Sequence, residues 1–289
     1  VEADVKKNYL LLLMVVLVLA SLACTISVPA TKIKTAEIET LTVNEAQGDL
    51  KTPVDVKIGM GAGKLELSGG ADKLIQGEIR YNVPLWRPEV KRLSDRLEVT
   101  QKGDNNFSGL PDKDVVNEWK LKLGKTPMNL TLEAGAYDGK LDLGGVPLRD
   151  LEIKDGASNV ELDFSQPNPE KMRNFIYKTG ASKVVLKNLG NANFEDMTVE
   201  SGAGSYELDF SGNLQNPATV RISSGLSDLT LRIPSGVQCT VSLTGGVNNV
   251  NPSGTWTVDE KTYKTKGSGP LLKIKVDMGV GNLNLISED

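Results

Sequence analysis

The sequence predicts an all-β protein, a β-solenoid-like stack of eight strand–glycine turn–strand repeats. Three observations lead there. At eight places two apolar residues, spaced by one, precede a glycine by five and three positions. From the second copy to the seventh these glycines lie 21, 24, 22, 23 and 21 residues apart. The connectors between copies (QPNPEKMRN, NLGNANFED, NLQNPA) carry the Asn, Pro and Gly of turns and are too short for a crossover helix. A steady period of this size marks units that cannot bury an apolar face alone and do so by stacking. A β-sandwich, whose strands recur at comparable intervals, is the alternative.

The copies run in order along the chain. Val56 and Ile58 lead to Gly61, Leu130 and Leu132 to Gly135, Leu151 and Ile153 to Gly156, and Phe175 and Tyr177 to Gly180. Met197 and Val199 lead to Gly202, Val220 and Ile222 to Gly225, Val241 and Leu243 to Gly246, and Ile274 and Val276 to Gly279. After each glycine the alternation resumes, as in GAGKLEL, GASNVELDF and GVGNLNL. The second copy, GAYDGKLDL, reads as longer by two residues. Val160, Leu162 and Phe164 face one way and Glu161 and Asp163 the other, the period of a half-buried strand. Glycine at each bend suits positive φ or close approach of neighbouring backbones. Seven residues after the glycine, four consecutive copies carry Asp163, Lys187, Asp209 and Arg232. Alternating charge is what a ladder of adjacent strands favours.

The N-terminus differs. Lys6 and Lys7 precede the apolar run Tyr9 to Ala20, and SLAC follows. This is the layout of a secretory signal, and the run is short for a bilayer span of about 20 residues. SLAC resembles a bacterial lipobox, with Ser21 where leucine is usual. Cys24 is therefore expected to carry the lipid that anchors the protein outside the cytoplasm, in the cell envelope. The expected divisions are a signal peptide over 1–23, a spacer with a candidate first strand over 24–52, an irregular β subdomain over 53–127 and the regular repeats over 128–289.

Composition narrows function. With 37 acidic and 33 basic residues the chain has no overall attraction for nucleic acid. There is no histidine and there are only two cysteines, so the commonest general base and the commonest metal-site patterns are missing. No catalytic residue, metal or cofactor is expected. GMGAGK at 59–64 looks like a phosphate loop. But Lys64 stands where a dinucleotide fingerprint needs glycine, and Leu65 where a P-loop needs Ser or Thr. A strand continues past it, so no nucleotide site is expected. The pairs Glu161/Asp163 and Glu207/Asp209 are the carboxylates that a glycan-active solenoid enzyme would use, and that is the alternative function. Cys239, between apolar neighbours, reads as a buried thiol. Trp86 and Trp119 lie in the long gap between the first two copies. They are candidates for partner binding, or for capping the open end of the stack.

The runs VDVKIGMGAGKLELSGGADKLIQGEIRYNVPLWRPEV and PMNLTLEAGAYDGKLDLGGVPLRDLEIKDGASNVELDF resemble the bacterial toast-rack family. These are adhesin-like envelope proteins related to the C-terminal part of LiaF-type stress proteins. The resemblance covers roughly residues 30–289. It implies an extracytoplasmic rack of short β-strands with no catalytic residues to carry over. The function expected is a non-enzymatic, lipid-anchored protein that binds an envelope protein or glycan or serves as a scaffold. A link to envelope-stress signalling is implied by the resemblance alone.

Overall fold

The structure, a computed structural model, describes residues 33–47, 52–102, 114–246 and 249–288. The signal segment and Cys24 lie outside them. In chain order the strands are β1 (Glu39–Glu45), β2 (Val54–Ser68), β3 (Ile75–Tyr81), β4 (Pro88–Arg92), β5 (Arg96–Gln101) and β6 (Asn117–Leu123). The regular run is β7 (Met128–Asp142), β8 (Leu148–Asp163), β9 (Met172–Lys187), β10 (Phe194–Asp209) and β11 (Ala218–Ile233). The chain finishes with β12 (Gln238–Gly245), β13 (Asn249–Ser253), β14 (Thr257–Asp259), β15 (Thr262–Lys264) and β16 (Leu271–Ser287). Two 3-10 turns, Pro84–Trp86 and Leu189–Ala192, complete it, and no α-helix occurs among the described residues.

Seven long strands, β2, β7, β8, β9, β10, β11 and β16, stack in parallel and in register. Each comprises the two arms of one repeat in a single continuous strand, and the ladder skips the glycine pair at each bend and, between β8 and β9, the stretch from Gly156 to Ser158. The phase of burial flips at the bend. In β8 the buried residues are Leu148, Leu151 and Ile153 before Gly156 and Val160 and Leu162 after it. Both arms therefore face one interior, which the connectors close with Leu143, Val146, Phe164, Leu189 and Phe210. Each buried Val, Leu or Phe contributes roughly 1.5–3 kcal/mol. The core runs unbroken from Val43 to Leu285. The expected boundary at 127/128 is thus a change of regularity inside one core, not a division between two.

The glycines form the spine of the stack. A Cβ on Gly135 would lie 2.5 Å from the Gly61 carbonyl oxygen, one on Gly156 2.8 Å from that of Gly135, and one on Gly180 2.4 Å from that of Gly156. Gly202, Gly225, Gly279 and Gly246 continue the column, each facing the carbonyl of its predecessor at 2.6–2.8 Å. Close approach, not positive φ, is what these positions require. Left-handed backbone falls two residues later, and only in some rungs, at Gly63, Gly204 and Gly281.

The order of stacking departs from the order of the chain at both ends. β16 inserts between β11 and the pair β12/β13, so the eighth copy lies between the sixth and the seventh. At the other end β5 and β6 pair with the two arms of β2, making a rung outside the first copy. Among the described residues the stack thus has nine rungs, seven unbroken and one split at each end. The terminal rung lacks the glycine. In its place Gln101 Oε1 accepts from the Gly61 N–H at 3.0 Å, and Asn117 Nδ2 donates to the Ala62 carbonyl at 2.6 Å. Antiparallel strands cover what remains open, β4 on β5, β3 and β1 beyond β6, and β15 with β14 beyond β12. On the uncovered β13, Pro252 offers no N–H to a further strand. These devices shorten the exposed edges that a stack otherwise presents.

The second copy carries no insertion, contrary to its appearance in the sequence. Gly63 pairs with Tyr137, Leu65 with Gly139 and Leu67 with Leu141. Gly139 holds a core position without a side chain, and the Tyr137 ring fills it. A Cβ on Gly139 would lie 2.6 Å from Tyr137 Cε2.

Candidate functional site

The Gly59–Lys64 run lies inside β2, paired with β7 on one side and with β5 and β6 on the other. Its backbone amides serve the sheet, apart from that of Gly61, which donates to Gln101 Oε1. The depression beside it, about 560 Å³ in volume, is lined by Lys64, Asn117, Glu118, Tyr137, Asp138 and Asn159 among others. Lys64 reaches Glu118 at 3.7 Å, so the charges at its rim offset one another.

The outer faces of both arms are flat ladders of this kind. On the first arm Lys57 pairs with Glu133 at 2.6 Å and Lys178 with Glu200 at 3.0 Å. On the second arm Lys120 pairs with Glu66 at 3.5 Å. Asp163, Lys187, Asp209 and Arg232 are neighbours on successive strands, as the alternation of charge predicts. The ion pairs themselves run diagonally, Lys187 to Glu161 at 2.8 Å and Arg232 to Glu207 at 2.5 Å. The long cationic stems reach the carboxylate two residues back, while Asp163 accepts from Asn188 and Asp209 from Ser211. Each such exposed pair is worth at most about 1 kcal/mol, and in each candidate carboxylate pair the glutamate is held by a cation while the aspartate accepts from a neutral donor. Those carboxylates lie side by side on a flat strand, not facing each other across a substrate.

Inside the bend lies a polar seam that the sequence did not announce. The half-buried carboxylate of Asp155 accepts from Tyr177 Oη at 2.9 Å, from Thr179 Oγ1, and from Ser182 Oγ at 3.3 Å. Ser158 Oγ donates to Ser182 at 2.9 Å, and Ser224 and Ser227 continue the seam at 2.6 Å. Burial, with the Tyr137 hydroxyl and the Asp155 charge adding to it, holds the Tyr177 hydroxyl well above its usual range. The seam binds rungs to one another, and no group of metal-ligating side chains forms among the described residues.

Trp119 is 1 % exposed, with Nε1 donating to Asn117 Oδ1 at 2.8 Å. Its ring is core in the terminal rung, between β2 and β3, and offers no exposed surface to a partner in this structure. Trp86 lies half-buried in the turn Pro84–Trp86, beside Leu85, which is 79 % exposed. Cys239 is free and 1 % exposed, and burial pushes its thiol up to about 12. It should therefore resist a disulfide-exchange reagent in the native protein at pH 8 and react fully once urea unfolds the chain. Rapid native labelling would place the thiol elsewhere.

The geometry defines a parallel β-rack with split, capped ends and flat polar faces. The profile of the N-terminal domain of toast_rack, DUF2154, matches residues 31–177 and 173–232, and the chain belongs to this family. Among solved structures it is similar to a candidate cell adhesion protein from Clostridium sporogenes, 24% identical over 87% of this chain and 99% of that one, with a TM-score of 0.46. It is similar also to a candidate lipid binding protein from Parabacteroides distasonis, at 12% identity over 86% of this chain and 97% of that one and a TM-score of 0.38. A candidate adhesin from Parabacteroides merdae gives 10% identity over 87% and 97% and a TM-score of 0.37. No curated protein matches the sequence.

Proposed function

We propose that this chain is a lipid-anchored, extracytoplasmic scaffold of the bacterial envelope that binds a partner macromolecule on a rigid flat face and catalyses nothing. The observation that carries this reading is the pair of outer faces, where acids and bases are spent on one another along in-register strands. A face of this kind spreads affinity over many contacts and suits an extended glycan or protein surface. The anchor rests on SLAC and Cys24, after the basic and apolar signal. A diacylated cysteine holds firmly, since acyl chains contribute about 0.8 kcal/mol per buried CH₂. Relay of envelope stress to a membrane sensor is a variant of the same reading, suggested by the family resemblance alone.

Labelled palmitate should enter the wild type and not Cys24→Ser; equal labelling would remove the anchor. Incubated with purified cell-wall sacculi, the protein should co-sediment and release no reducing ends. Release of reducing ends would favour the glycan-active alternative.

A further inference from the structure

The first-arm face changes character at the C-terminal end of the rack. Through β11 its cations are paired, the last being Arg221 with Asp196 at 2.8 Å. Beyond that, Lys264, Lys266, Lys273 and Lys275 are all exposed, and none has a carboxylate within ion-pair reach among the described residues. The register fixes their arrangement. One row across the sheet reads Thr219, Lys273, Thr240, Lys264. The next reads Arg221, Lys275, Ser242, Thr262. Lysines on one strand are about 7 Å apart, and Lys273 and Lys264, two strands apart, are separated by about 10 Å. The hydroxyls of Thr240 and Ser242 lie among the cations, and those of Thr219 and Thr262 stand at the ends of the two rows. Asp259 and Asp277 border the face without pairing to a lysine.

We infer that this face binds a linear polyanion, a polymer carrying repeated phosphate or phosphodiester groups. Ammonium groups supply charge without a fixed fork, and neighbouring hydroxyls donate to anionic oxygens. Because the surface is flat it holds an extended chain better than a small anion, which would need enclosure. Between the cations stand Thr and Ser, not the Trp, Phe or Leu that an interfacial membrane contact buries. Nor is any aromatic ring on these two rows to stack a nucleic-acid base. The inference deepens the scaffold reading by naming the partner, and rests on it for the setting outside the cytoplasm. The face itself stands on charge and register alone.

The test is titration of the full-length protein, in detergent, with labelled linear polyphosphate at rising salt. Wild type should bind, with affinity falling as salt rises. Lys273→Glu with Lys275→Glu should weaken binding by about tenfold or more and flatten the salt dependence. Lys122→Glu with Lys183→Glu makes the same charge change on second-arm strands and should alter affinity by less than about twofold. All four positions are exposed, and unchanged circular dichroism and urea midpoints would show that both variants fold. No binding by the wild type, or equal loss in both variants, would overturn the inference. So would lysine-dependent binding to vesicles of anionic phospholipid without binding to polyphosphate. Failure of palmitate labelling at Cys24 would remove the anchor and leave the polyphosphate result standing, so the two readings fail separately.

Discussion

Replacing Gly180 by alanine should destabilise the protein by about 3 kcal/mol, the upper end of what overpacking costs, because the bend is exposed but the methyl would meet fixed backbone. The added methyl would sit 2.4 Å from the Gly156 carbonyl oxygen. That oxygen belongs to the backbone of an in-register strand, with β7 on its other side. Relief would mean moving β8 and β9 apart at the middle of the stack, breaking ladder hydrogen bonds on both arms. Gly70→Ala is the comparison. Gly70 has φ +91, and nothing lies within 4 Å of the place its methyl would take, so alanine there meets only the left-handed penalty of about 1–2 kcal/mol. Urea midpoints of the two variants should therefore separate clearly, with Gly180→Ala the lower. Equal midpoints would mean that the glycine column serves conformation and not the close approach of neighbouring rungs.

The glycine column was legible in the sequence because its cause is local and repeats. Every rung must bring its bend against the carbonyl of the rung before it, so every rung carries the same residue at the same place. The inward alternation of Val160, Leu162 and Phe164 was legible for the same reason, since period 2 is a property of the strand itself. The order of rungs was not. Val241-Leu243-Gly246 and Ile274-Val276-Gly279 have one pattern, and that pattern fits any neighbouring rung equally well. Only the short hairpin of β14 and β15 between them, which needs room at the outer edge, shows that the chain goes out and returns inward. The terminal rung escaped notice because Gln101 and Asn117 close the glycine column with side-chain amides instead of continuing it. Trp119 could be read as partner-binding or capping from sequence, and only the pairing of β6 with both β2 and β3 shows that its ring is core.

The candidate faces divide in the same way. The alternation of Asp163, Lys187, Asp209 and Arg232 is a statement about register, and register is what the repeat encodes. Which carboxylate each cation reaches depends on side-chain length and direction, and a repeat does not encode that. The unpaired lysines of β15 and β16 were invisible for a further reason. Lys264 and Lys273 are nine residues apart in the chain but share one row across the sheet only because β12 lies between them, a neighbourhood created by the out-of-order insertion of β16.

Tyr137→Ala should cost about 3–5 kcal/mol, the range for deleting a large buried side chain, and most of that loss should be recoverable by a second change two residues away. Tyr137 is 5% exposed, and its ring occupies the core position that Gly139 leaves empty between Leu65 and Val160. Removing the ring opens a cavity in a sheet whose neighbours cannot collapse, because their register is fixed on both sides. Gly139→Leu alone should also destabilise, since even its Cβ would press on the ring at 2.6 Å. Together, Tyr137→Ser and Gly139→Leu recreate the pattern of the adjacent rungs, where Gly63 precedes Leu65 and Ser158 precedes Val160. The pair should return stability to within about 1 kcal/mol of the wild type, a coupling far beyond additivity. Tyr137→Phe adds a finer test. The Tyr137 hydroxyl is buried beside that of Tyr177 without a hydrogen bond of good geometry, so its removal should be neutral or stabilising. Additive losses in the double variant, by equilibrium urea unfolding, would show that the ring and the glycine are independent features and not one core position shared between two residues.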